Sequence, residues 1–535
     1  MARRGAYLQL AHDCSPADPS RSVHEARIAD LNDDVPRGKL RSLWTLVEKL
    51  DRWGVEARGI ERVMPDERSQ SSPLVCFWMW LAANMTISTF SLGTLSASVF
   101  ELGLRDAVLT ILFFNLLTSI PAAYFSTWGP KLGLRQLTIS RFSFGYFTAL
   151  IPVILNCIAC VGWSVVNSIV GGQTLQAVST SHQIPIAAAI VVIAVGTIIV
   201  SFMGYRVVHL YEKYSWIPVF VIFIIYAGEI GAHVDVGAWG GSGQVEAASV
   251  LSYGASVAGF ALGWTSLAAD YSVQLPEDMA TWKVFWSTYW GMNLPMITVE
   301  ILGAAAMHTF DAKPTWGDAY GAIGGGLLGA PLTGTMHGFG SFLLVLLALS
   351  IVANNIPNMY SLSVTFQVLG RYAQAIPRVF IVLAGSAVYI ALAIVGASYF
   401  EEWLDTLLVI LSYWLAIFST ILVEEHLIFR RGDWMNYAPD EYNQWRKLPL
   451  GVASFLALAC GVAGAVLGMA QTWYVGVIGS KFGLPGIGTF DVPLTHLLET
   501  HTIILGGDIG FELSFAFSAV TYPIFRYIER QYWGA

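Results

Sequence analysis

The sequence predicts an all-α polytopic membrane protein with twelve transmembrane helices. Three observations carry this reading. Hydrophobic residues make up 55% of the 535 and charged residues 12%, with a mean hydropathy of +0.58; a soluble domain carries about 25% charged residues. The apolar runs reach about 20 residues or more, the length that crosses a hydrocarbon core as a helix. Polar interruptions also recur at corresponding places in the two halves of the chain, which points to an inverted repeat. The net charge of −8 says little, because the placement of charge matters more than its sum.

Residues 1–73 read as a polar N-terminal tail. Arg3 and Arg4 precede an apolar stretch too short for a signal peptide. Leu40, Leu43, Trp44, Val47 and Leu50 recur at helical spacing among Lys39, Arg41, Glu48 and Lys49. They predict a short amphipathic helix on the cytoplasmic surface, or else a partly ordered tail. The transporter domain is placed at 74–526 and a C-terminal tail at 527–535. The spans are read at about 74–99, 106–127, 147–177, 184–204, 213–233, 250–271, 284–308, 339–369, 376–399, 403–428, 449–474 and 501–526.

Basic residues set the expected orientation. With the N-terminus inside, the cytoplasmic loops carry Lys131, Arg135, Arg141, Arg206, Lys213, Lys283, Arg371, Arg378, Arg430, Arg431, Arg446 and Lys447; the opposite loops carry Arg105, Lys313 and Lys481. Twelve against three is a positive-inside bias, and Arg526 and Arg530 fall on the same side.

The eighth span holds the densest polar cluster. Residues 350–361 read S-I-V-A-N-N-I-P-N-M-Y-S, with Asn354, Asn355, Asn358 and Pro357 at mid-depth. Amides need partners that hydrocarbon does not supply. Asn354 and Asn358, four apart, share a helix face. Pro357 takes the helical donor from the Ala353 carbonyl and favours a kink. Such a turn suits a polar solute site; the alternative is interhelical glue.

Span 1 places Ala83, Asn84, Thr86, Ser88 and Thr89 at mid-depth, and span 6 carries Gly259 and Gly263 just before Trp264, Thr265 and Ser266. Gly259 is read as a helix break, with a GxxxG packing face as the alternative. Spans 1 and 6 are five apart, as are spans 3 and 8. In span 3, Asn156 lies at mid-depth, and Trp163 and Asn167 put an indole and an amide on one face. With Trp264 as a second plate, this set fits a flat, neutral, hydrogen-bonding ring.

Several motifs, in order, resemble the fungal purine–cytosine permeases of the nucleobase–cation symporter family. They are E-R-V-M-P-D-E-R before span 1, A-A-N at 82–84, W-S-V-V-N at 163–167, G-W-T-S and A-D-Y within 263–271, A-N-N-I-P-N at 353–358 and G-G-D-I-G-F-E at 506–512. The resemblance implies a LeuT-type 5+5 inverted repeat plus two C-terminal helices, alternating access, and uptake of purines and cytosine across the plasma membrane. By position it implies that Trp163, Asn167, Gly263, Trp264, Asn354 and Asn358 bind substrate, with Ala83 and Asn84 contributing from span 1. The pattern often has Ser where this chain has Ala82. A vitamin ring such as pyridoxine is the alternative cargo, and a non-transporting sensor on the same scaffold the alternative role.

The coupling ion is expected to be a proton. Sodium-coupled relatives place Ser or Thr hydroxyls in span 8 where this chain has Ile356-Pro357-Asn358. Asp270, at the end of span 6, and Glu300, inside span 7, are the available titrating groups. The alternatives are a structural hydrogen bond for Asp270 and a partnered structural acid for Glu300. No cofactor, metal or nucleic-acid partner is expected. The histidines fall near span ends or in loops with no H-E-x-x-H, and the C-x-x-C of Cys157 and Cys160 sits in an apolar helix as small packing residues. An enzyme is therefore disfavoured.

Overall fold

The computed structural model describes residues 59–179, 182–202, 214–237, 242–482 and 506–533. The expected amphipathic helix near residues 40–50 lies outside them, as do Arg206 and Lys213.

A helix occupies each of the twelve expected intervals. The first is a pair, α1 (Leu74–Asn84) and α2 (Ile87–Ser98), bent by 55° at Met85–Thr86. Then come α3 (Leu104–Ser126), three short helices α4 (Trp128–Leu132), α5 (Gln136–Ile139) and α6 (Arg141–Thr148), and α7 (Leu150–Gln176). Helices α8 (Ile186–Phe202) and α9 (Trp216–Gly231) complete the first five.

The second set repeats the pattern. It opens on a broken pair, α10 (Gln244–Leu262) and α11 (Ala268–Ser272), followed by α12 (Thr281–Met307). Two short helices, α13 (Pro314–Ala322) and α14 (Gly326–Met336), precede α15 (Gly338–Val368). After a single turn, α16 (Arg371–Gln374), come α17 (Arg378–Gly396) and α18 (Phe400–Glu424). Helices α19 (Val452–Gly468) and α20 (Gly510–Trp533) follow as a closely packed pair, with a two-stranded hairpin of β1 (Ala470–Gln471) and β2 (Tyr474–Val475) after α19. Among the described residues, five helical segments are long and apolar enough to cross a membrane on their own, six with the bent first pair, and three shorter apolar helices add to them.

Short helices thus stand after the second member of each set, in stretches that fall between the expected spans. Leu327, Leu328 and Leu332 of α14 are buried, and that burial holds the helix against its glycines.

Two expected breaks are corrected. Helix α15 runs unbroken through Pro357. One missing N–H is tolerated where neighbouring helices enclose the turn, and the residues around Pro357 are buried. The break in span 6 falls at residues 263–267 rather than at Gly259. Gly259 is inside α10, where a Cβ would collide with the Leu408 carbonyl of α18. Its bare Cα permits the close α10–α18 crossing, which is the packing alternative.

In the packing α7 runs along α15, α10 along α18, and α12 against α1, α2 and α3. The basic loops gather at one end. Arg62 pairs with Asp440 at 2.8 Å, Arg141 donates to Asn443 Oδ1 at 2.9 Å and to the Val368 carbonyl at 2.7 Å, and Arg430 donates to the Phe142 carbonyl at 3.1 Å. Residues 59–73, placed in the tail from sequence, pack over this end: Ile60 and Val63 are buried, and Val63 N donates to the Gly133 carbonyl at 2.8 Å.

Candidate functional site

A helix that stops leaves its last carbonyls without partners. Where α1 ends, Thr89 Oγ1 donates to the Asn84 carbonyl at 2.6 Å, and Asn354 Nδ2 of α15 donates to the Ala83 carbonyl at 2.5 Å. The break in the first helix is therefore closed by the polar cluster of the eighth.

Asn354 is one node of a buried amide web. Asn167 Nδ2 on α7 donates to Asn354 Oδ1 at 2.6 Å and to Asn355 Oδ1 at 2.9 Å, and Asn167 Oδ1 accepts from Ser88 Oγ at 2.5 Å. Asn358 Nδ2 donates to the Asn354 carbonyl at 3.2 Å. All four asparagines are at most 3% exposed. Asn355 Nδ2 is left with no protein partner, a donor that costs about 1–3 kcal/mol to bury unpaired.

The indoles flank the second break. Trp264 Nε1 donates to Asn84 Oδ1 at 3.0 Å, and its ring meets Trp80 edge-on at 5.1 Å. Asn84 in turn donates to the Trp80 carbonyl at 2.9 Å. Trp163 is half-buried, edge-on to Phe260 at 5.3 Å, and its Nε1 lies 3.5 Å from where a Gly263 Cβ would stand. Gly263 thus places no side chain against the Trp163 indole N–H.

The structure thus brings Ala83, Asn84, Trp163, Asn167, Gly263, Trp264, Asn354 and Asn358 to one level, where both broken helices meet α7 and α15. Preorganised amide donors and acceptors beside indole faces can read the edge of a flat polar ring and stack on its plane.

Several polar residues that the sequence places at mid-depth, but that were not among the expected substrate contacts, join the web or extend it. Asn355 was passed over for the i, i+4 pair of Asn354 and Asn358, yet Asn167 sits between neighbouring positions of α15 and reaches both amides. Ser88 follows the first break and fixes the Asn167 amide. Toward the basic end, Ser266 Oγ donates to Asn156 Oδ1 at 2.6 Å and Asn156 Nδ2 donates to Thr365 Oγ1 at 2.9 Å, joining the second break to α7 and α15.

The two acids lie apart from this web. Asp270 Oδ1 accepts from the Gln136 backbone N–H at 2.7 Å, and its carbonyl accepts from Arg135 Nη1 at 3.0 Å, both at the basic end. Glu300 lies fully buried on α12. Its Oε2 accepts from Asn115 Nδ2 of α3 at 2.7 Å, and its Oε1 has no protein partner. Close crossing of α12 and α2 at Gly303 and Gly93 seals that flank, since a Cβ on either would strike the other helix's backbone.

Comparison with known proteins gives the family and the fold. The chain is 44% identical over 482 residues to the purine-cytosine permease fcyB of Emericella nidulans, covering 90% of each chain. It is 39% identical to the purine-cytosine permease FCY2 of Saccharomyces cerevisiae, covering 90% of this chain and 87% of the relative. Among solved structures it resembles Mhp1, a nucleobase-cation-symport-1 family transporter, in a closed conformation with bromovinylhydantoin bound. That likeness has a TM-score of 0.63 at 14% identity and covers 89% of this chain and 95% of the other; it carries the LeuT-type fold. The family of permeases for cytosine/purines, uracil, thiamine and allantoin matches residues 63–477. On the strength of that match and of its close fungal relatives, this chain belongs to that family of membrane transporters.

Proposed function

We propose that the protein imports neutral purine bases and cytosine across the plasma membrane by proton symport with alternating access. Twelve crossings would leave both termini cytoplasmic. The observation that carries the reading is the Asn167–Asn354–Asn355 web, with Trp264 joined to it through Asn84 and Trp163 one turn before Asn167. The ring stacks on indole, and the amides exchange their mutual hydrogen bonds for those of the ring edge.

A sodium site would need converging oxygen ligands. The Ala83 carbonyl is instead occupied by the Asn354 amide N–H, a donor where a cation needs acceptors. Of the two acids, the geometry favours Glu300 as the proton carrier. It is fully buried with a single protein donor, and its second oxygen has no protein partner; its helix packs against the broken first span. Asp270, bonded to the Gln136 backbone, fits a structural role at the basic end.

The test is uptake of labelled cytosine in cells without nucleobase carriers of their own, with unlabelled adenine, hypoxanthine and pyridoxine as competitors. Competition by adenine and hypoxanthine is expected. Competition by pyridoxine alone would assign the site to a vitamin ring.

A further inference from the structure

A cavity of about 390 Å3 lies in line with the amide web, on the side away from the basic end. Ser91 and Thr94 line it from α2, three and six residues past Ser88. Val170 and Thr174 line it from α7, about one and two turns past Asn167 on the same face. The α13–α14 connection and the start of α18 form its other walls. The cavity therefore occupies the route that a solute from outside would follow to the web.

Its chemistry resembles that of the web. Phe90, Tyr399 and Phe400 supply aromatic surface, and Gln173 supplies an amide. Tyr320 on α13 donates its hydroxyl to Glu401 Oε1, which holds the carboxylate in place and leaves Oε2 for another donor. Gln173 lies against Gly324 and Gly325 so closely that a Cβ on either would collide with it. Among the described residues, the charged side chains lining the cavity are Glu401 and Glu402, and no basic side chain lines it. A volume near 400 Å3 falls in the range of small-molecule pockets, about 300–1,000 Å3. Acceptors with aromatic walls and negative charge favour a flat ring rich in N–H donors and repel an anionic one.

We propose that this cavity is a second, outer binding site for a planar, uncharged, N–H-donating heterocycle, occupied before the ring reaches the amide web. This rests on the nucleobase reading of the inner site. Glu401 and Gln173 contact the ring, and Tyr320 is a positioning residue. An outer site raises the local concentration of substrate at the inner one, so its loss weakens capture without slowing translocation.

The experiment has two parts. Equilibrium binding of labelled adenine to the purified full chain should show two classes of site. Asn354→Ala should remove the tighter class and leave a weaker one, which adding Glu401→Gln abolishes. In cells, Glu401→Gln or Gln173→Ala alone should raise the KM for adenine at least threefold at unchanged maximal rate, while the tighter class binds normally. Gln173→Ala leaves the Tyr320–Glu401 pair intact and so serves if Glu401→Gln fails to fold. Loss of all binding in Asn354→Ala, together with an unchanged KM in Gln173→Ala, would overturn the outer site. If the wild-type protein neither binds nor transports nucleobases, it is the inner-site reading that fails first.

Discussion

The side-chain amide of Asn167 donates to Oδ1 of Asn354 at 2.6 Å, joining α7 to α15 at the level where α1 breaks off. Asn354 in turn caps the broken end through the Ala83 carbonyl. One hydrogen-bond chain thus connects the third span, the eighth span and the first break. A ring that competes for these amides acts on all three elements at once, which is how occupancy of the site can bias the packing of the repeats.

Stacking on Trp163 gives a graded prediction. Trp163→Phe keeps an aromatic face, so the KM for cytosine should rise only a few-fold. Trp163→Ala removes the face, and base–aromatic stacking of about 1–3 kcal/mol implies a loss of roughly 5- to 150-fold. Trp264→Phe keeps its face too, but it leaves Asn84 Oδ1 without the indole donor and should cost more than Trp163→Phe. Initial rates of uptake over a substrate series decide this. Equal losses for Trp163→Phe and Trp163→Ala would point to packing alone.

Glu300 carries the prediction for coupling. In a proton symporter the proton is loaded outside, so acidifying the outer medium should raise uptake and a protonophore should collapse accumulation. Uptake of a neutral ring with one proton also gains about 2.3 kcal/mol per 100 mV of membrane potential. Glu300→Gln keeps the size and a carbonyl acceptor for Asn115 but cannot titrate. It should retain substrate binding and exchange while losing the response to external pH. Asp270→Asn should keep that response. A wild-type pH response in Glu300→Gln would remove it as the carrier, and sodium dependence without pH response would replace the proton altogether.

The last helix offers a stability test. Arg526 donates to both oxygens of Glu425, at 3.0 and 3.2 Å, and to Glu529 at 3.3 Å, all three side chains being at most 3% exposed. Glu529 also accepts from the Gly451 backbone at 2.8 Å, and Tyr522 donates to Glu425 at 2.9 Å. Removing one partner from a buried network costs about 3–5 kcal/mol, whereas neutralising the whole network costs far less. Arg526→Ala should therefore lower the unfolding midpoint of the purified protein sharply. The combined Glu425→Gln, Arg526→Met and Glu529→Gln variant still leaves Arg430, which lies 3.2 Å from Glu425 Oε1, without its carboxylate; it should recover part of the loss, and failure to recover any would contradict the account.

Much of the fold was legible because membrane helices announce themselves by length and hydropathy. The first break was legible in A-A-N-M-T, where polar residues replace the apolar face at mid-depth, whereas the second was legible only to within about a turn, at Gly259 instead of residues 263–267. The web's level was legible because Trp163, Asn167, Asn354 and Asn358 obey helical spacing. Pro357 misled because a proline's local cost is set against the packing around it, which sequence does not display. Gly259 misled because a bare Cα serves both flexibility and close crossing, and only the Leu408 carbonyl shows which. The α13–α14 pair hid behind its glycines. The Glu425–Arg526 pair spans 101 residues, with no local spacing to mark it.

The most direct test of the central claim is labelled cytosine uptake by Asn167→Ala and Asn354→Ala, each checked for delivery to the membrane. Each substitution removes a ring-edge partner and leaves buried amides on the facing helix unpaired, at about 1–3 kcal/mol per group. The account predicts that both variants reach the membrane and that neither transports cytosine. Cytosine uptake at the wild-type rate in both would contradict it and return the amide web to a role in helix packing.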